Sequence, residues 1–124
     1  MSSWRETGAL TIGDTTYRMY REGPMSGAFI LEHAGSELAQ AEKPSVFRRE
    51  LVIRHAGHDY TLRPESMFRR AFVLLDGSQQ IGSVAPESAF TRKAAADLPD
   101  SLPLPVRMFV VWLAMILWRR EQNS

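Results

Sequence analysis

The chain is built on a repeat of glycine-centred turns, and that repeat restricts its fold more than any other feature. Glycines at positions 13, 35, 57 and 77 are separated by 22, 22 and 20 residues, each between two runs rich in β-branched, aromatic or aliphatic side chains. The turns read Ile12-Gly13-Asp14, His33-Ala34-Gly35-Ser36, His55-Ala56-Gly57-His58 and Leu75-Asp76-Gly77-Ser78. Their residues tolerate a positive φ or bond back to the backbone, as tight hairpin turns require. Four hairpins are expected, with strands over about 5–12, 15–22, 27–34, 37–43, 47–55, 59–63, 68–75 and 79–85.

The flanks repeat as well. Lys43-Pro44-Ser45-Val46-Phe47-Arg48-Arg49 is echoed 21 residues later by Arg63-Pro64-Glu65-Ser66-Met67-Phe68-Arg69-Arg70, and each echo leads into an ascending strand. Phe47, Arg49, Leu51 and Ile53 fall on one face, with Arg48, Glu50, Val52 and Arg54 on the other. This is the alternation of a sheet with one buried side. Between Phe68 and Leu75 the alternation weakens, because Phe72 and Leu74 are matched by Val73 and Leu75, so that strand is expected to be covered on both faces. Residues 89–97 read as a ninth strand or one helical turn, with the strand favoured.

The texture then changes. From Val106 to Trp118 only Arg107 is polar, so a helix over about 103–120 would be apolar around its whole circumference and must be buried. Asp100 or Ser101 can cap it, Pro103 or Pro105 suits its first turn, and Arg119-Arg120 suit the negative end of its dipole. The apolar run Met108–Trp118 rises only about 16 Å against the roughly 30 Å of a bilayer core. A place in the protein core is therefore expected, and an acidic residue at Val111 should abolish soluble expression. The alternative is a C-terminal membrane anchor at residues 104–120, with Trp112, Trp118 and Arg119-Arg120 at its interface.

A hairpin meander followed by an apolar C-terminal helix resembles the superfamily of tubby-like β-barrels, which includes the phospholipid scramblases and LURP-one-related proteins. The resemblance is carried by Ala96 through Arg120, and by the hairpins Phe29–Leu38, Phe47–Leu62 and Phe68–Val84, the last with Gln80-Ile81-Gly82-Ser83-Val84. It implies a barrel threaded by a hydrophobic helix, in a small protein of bacterial type. Eight or nine strands are few for enclosing a helix, since cans that do so have about eleven. The expected fold is therefore mainly β, a meander forming a curled or partial barrel around one C-terminal helix, in a single domain spanning 1–124. Open sheet edges make a homodimer, or binding of another protein through such an edge, an expected partner arrangement.

Charge and composition narrow the function. Fifteen basic residues against fourteen acidic ones provide no bulk field for nucleic acid, and the absence of cysteine removes thiol nucleophiles and thiolate metal sites. With no apolar leader at the N-terminus, a cytoplasmic location is expected. His33, His55 and His58 sit at neighbouring turns but lack a metal-ligand pattern, and Asp97 and Asp100 offer too few oxygens for calcium. No nucleotide cradle or catalytic constellation occurs, so neither a cofactor nor an enzymatic role is expected. The sharpest candidates are Arg48-Arg49 and Arg69-Arg70 at equivalent strand starts. One member of each pair should point outward at the same end of the sheet, where paired guanidinium groups would bind a phosphate. The resemblance points this toward an anionic phospholipid head group. The competing expectation is ordinary pairing with Glu37, Glu42, Glu50 and Glu65.

Overall fold

A computed structural model describes residues 6–23, 27–44, 48–66, 70–86 and 94–122. Nine strands follow one another as β1 (Thr7–Ile12), β2 (Thr15–Glu22), β3 (Ala28–His33), β4 (Ser36–Glu42), β5 (Leu51–His55), β6 (His58–Pro64), β7 (Phe72–Asp76), β8 (Gln79–Pro86) and β9 (Ala94–Asp97). Each pairs antiparallel with the next, giving a nine-stranded sheet in sequence order. One helix, α1 (Leu104–Gln122), completes the described structure.

The glycine turns behave as their chemistry demands. Ala34-Gly35 and Ala56-Gly57 both have positive φ at both positions (51° and 82°, 52° and 76°), the signature of type I′ turns. Gly13 and Gly77 alone carry the positive angle in their turns, at 61° and 63°, which fits type II′. All four tight turns lie at one end of the sheet. The longer connections lie at the other, which we call the loop end.

Two hairpins carry a register shift, between Leu31 and Glu32 in β3 against β4, and between Leu74 and Leu75 in β7 against β8. The extra residues are Leu38 and Ile81, each the third residue of its return strand, and both pack against the core. A bulge bends the strand and increases local twist. These two therefore help the sheet to curl.

The curled sheet wraps α1 without closing into a barrel: among the described residues β1 pairs only with β2 and β9 only with β8. Phe29, Leu31, Ala39, Ala41, Leu51, Ile53, Leu62, Phe72, Leu74 and Val84 line the concave face, and Val106, Phe109, Val110, Leu113, Ala114 and Leu117 of α1 fill it. Phe109 and Leu113 are fully buried. One face of the helix, from Val106 to Trp118, thus packs as the core, and among the described residues no helix is long and apolar enough to cross a membrane. In β7, Phe72 through Leu75 are all buried, as the weakened alternation implied.

Two strand starts differ from expectation, and the first part of the expected ninth strand, residues 89–93, lies outside the described residues. β5 and β7 begin at Leu51 and Phe72, so Arg48, Arg49 and Arg70 precede their strands rather than opening them. The helix begins at Leu104, with Arg107 N–H donating to the Pro103 carbonyl. Pro105 occupies the first turn as expected, whereas Asp100 lies 3.5 Å from Arg107 instead of capping that turn. The Arg107 Nε–H also donates to the Leu102 carbonyl, which lets the lone charge of the apolar segment sit at the helix entrance.

Candidate functional site at the loop end

The helix runs from the turn end to the loop end, so its C-terminus emerges among the longer connections. Trp118 anchors it there: its indole N–H donates to the Arg70 carbonyl at 2.6 Å, and its ring lies 6.0 Å from that of Phe72. A buried indole needs such a partner, and the segment before β7 supplies it.

Cations gather around this end. Arg49 donates to Glu121 at 2.8 Å and lies over the Phe72 ring, and the Arg70 guanidinium lies over Trp118. Because Phe72 and Trp118 are neighbours, Arg49 and Arg70 converge on one aromatic pair at the rim of the core. Arg48 is exposed and stands 3.7 Å from Glu50. Arg69 lies outside the described residues. Arg49 and Arg70 thus lie over aromatic rings at the end of the core, while Arg48 faces solvent. Of the expected carboxylate partners, Glu50 meets Arg48, whereas Arg49 takes Glu121 from the helix.

Several members of the site carry no local sequence signal. Glu6 is the one buried charged residue among those described, at 8% exposure. Its carboxylate accepts from both Nε and Nη2 of Arg120 and lies 3.6 Å from Arg21, so it ties the start of β1 and the end of β2 to the last turn of α1. Arg120 also lies over the Phe29 ring. The Arg21 Nε atom is buried without a hydrogen-bond partner. Beside this clamp lies a cleft of about 210 Å³ lined by Lys43, Arg49, Leu117, Arg120 and Glu121. No ion pair of Lys43 occurs among the described residues.

The arrangement can hold negative charge. Three cations from three parts of the chain line one cleft together with the Glu121 carboxylate; Arg49 and Arg120 are held in place by Glu121 and Glu6, and Lys43 supplies the charge that these carboxylates do not offset. Arg119 and Arg120 also offset the partial negative charge of the helix terminus.

The histidines are spread over separate partners at the turn end. His33 donates to the Thr16 carbonyl, His55 to the Leu38 carbonyl at 2.9 Å, and His58 to Asp76 at 2.8 Å. Among the described residues no three His, Cys, Asp or Glu side chains are grouped to hold a metal.

Comparison with known proteins adds no relative: no protein-family model matches the chain, and neither the curated proteins nor the solved structures give a significant match.

Proposed function

We propose that this chain is a non-enzymatic binding protein that takes a phosphate-bearing anionic group, as on a lipid head group, in the loop-end cleft. The observation that carries this reading is the convergence of Lys43, Arg49 and Arg120, against the single carboxylate Glu121, on one cleft with Leu117 beside them. The cations suit the phosphate, and the leucine suits the apolar part of a lipid. The curled sheet around an apolar helix likewise supports a kinship with tubby-like proteins.

Vesicle flotation tests it. Vesicles of phosphatidylcholine containing an anionic phospholipid should carry the protein, whereas phosphatidylcholine alone should not, and added salt should weaken the association. Inorganic phosphate as competitor separates recognition of the phosphate from recognition of the lipid surface. Lys43→Gln with Arg49→Gln should weaken flotation by about tenfold or more, equivalent to about 1.4 kcal/mol. Equal flotation of wild type and this variant would sink the proposal.

A further inference from the structure

The open seam of the sheet has a geometry that selects its occupant. In an antiparallel meander alternate strands run the same way, so β1 and β9, the first and ninth strands, are parallel to each other. They cannot close the barrel as an antiparallel pair. One additional strand between them, however, would run antiparallel to both.

The β1 edge presents the necessary groups. Arg21 N–H donates to the Glu6 carbonyl, which fixes the phase of the β1–β2 ladder. Because bonded pairs alternate, Gly8, Leu10 and Ile12 face β2, whereas Thr7, Ala9 and Thr11 turn their N–H and C=O groups to the free side. β1 has no charged residue and β9 has only Asp97. Edges that avoid pairing are usually guarded by lysine, proline or inward charge, and these two have neither lysine nor proline.

Among the described residues, the space behind the edges is apolar and open. Ala96 shares the inward face with its partner Val84, yet Val84 is fully buried and Ala96 is exposed. On α1, Leu104, Met108, Val111 and Met115 fall within an arc of about 60° at 100° per residue. Leu104 and Met108 are 42% and 38% exposed, and Val111 and Met115 are partly buried. This stripe is about 16 Å long, the length of a strand of about five residues.

We propose that the seam accepts one extended segment of another protein as a tenth strand, antiparallel to β1 and β9. Its inward positions carry apolar side chains onto the Leu104–Met115 stripe, and its outward positions are small and polar beside Thr7, Ala9 and Thr11. Its N-terminal end lies next to Asp97, for which no ion pair occurs among the described residues, so a basic residue belongs there. None of these groups belongs to the loop-end cleft, so this proposal stands or falls separately from the anion-binding reading.

The probe is a labelled synthetic peptide, Lys-Val-Thr-Val-Thr-Val-Thr, compared with the same residues in an order that breaks the alternation. Fluorescence anisotropy should show the alternating peptide binding about tenfold or more tightly, and amide exchange at Ala9 and Thr11 should slow when it is bound. Ala9→Pro removes a free-edge donor without touching the bonds to β2, and edge strands tolerate proline. Met108→Glu places a charge on the stripe at an exposed position. Each should reduce binding about tenfold or more, and if Ala9→Pro does not fold, Met108→Glu decides. Asp97→Asn should remove the advantage of the lysine over an alanine in its place. Equal binding of the two peptides, or unchanged exchange at Ala9 and Thr11, overturns the proposal. So does a concentration-dependent dimer in sedimentation that leaves the peptide unbound, because the occupant would then be a second copy.

Discussion

Arg120 and Glu6, 114 residues apart, meet in a two-pronged ion pair at the loop end, where the last turn of the helix is bound to the first edge strand. The pair lies over the Phe29 ring and shares its carboxylate with Arg21. It joins the core-filling element to a strand that is paired on one side alone among the described residues.

Glu6→Gln should therefore destabilise the protein. Removing one partner of a buried pair costs about 3–5 kcal/mol. Here the Arg120 and Arg21 side chains keep 31% and 35% exposure, so water relieves part of the loss. A loss of about 2 kcal/mol in urea unfolding is expected, with partial recovery when Arg120→Met is added. An unchanged midpoint in the single variant would mean the clamp contributes nothing.

The turn alanines offer the opposite effect. Ala34 and Ala56 hold φ near 51° and 52°, where a Cβ meets the following carbonyl. Ala34→Asn and Ala56→Asn should each stabilise by about 0.5–1 kcal/mol, seen as a rise of a few degrees in the thermal midpoint.

Helix positions should separate sharply. Leu113 is fully buried against the concave face, so Leu113→Ala should cost about 3 kcal/mol and Leu113→Asp should prevent folding. Val111, the position singled out from the sequence, belongs to the partly exposed stripe, and Val111→Asp should be tolerated far better. Soluble yield and circular dichroism of the two aspartate variants make the comparison; equal failure of both would contradict the open seam.

Tyr20 gives a pH signature. Its hydroxyl donates to Glu32 at 2.9 Å, and this bond, with burial and the nearby negative charge, raises its pKa above the ordinary 10. The neutral phenol is favoured in the folded state, so its contribution is complete below the unfolded pKa and is lost as pH rises through the raised folded value. Tyr20→Phe should lose about 1 kcal/mol near neutrality and show a shallower fall in stability above pH 10 than wild type.

The hairpins were legible because Gly13, Gly35, Gly57 and Gly77 occupy positions where the backbone must turn with positive φ, a strictly local demand. The helix was legible because an all-apolar segment has few places to go. Long-range pairings left no such trace. Glu6 is a lone carboxylate whose partner lies on another element, and the place of Arg49 over the Phe72 ring depends on where β5 begins pairing with β6. Lys43 and Arg120 were visible only as a loop cation and a helix end. Their convergence follows from the helix running toward the loop end, which local pattern does not specify.

The order of elements also imposes an order on synthesis. Neighbouring strands can pair as each hairpin leaves the ribosome, since every contact in the sheet is between successive strands. The side chains that fill its hollow, Val106 through Leu117, emerge after all nine strands. Until then the nascent chain displays a curved apolar surface with nothing to close on, and its demand for chaperone protection is concentrated in that interval.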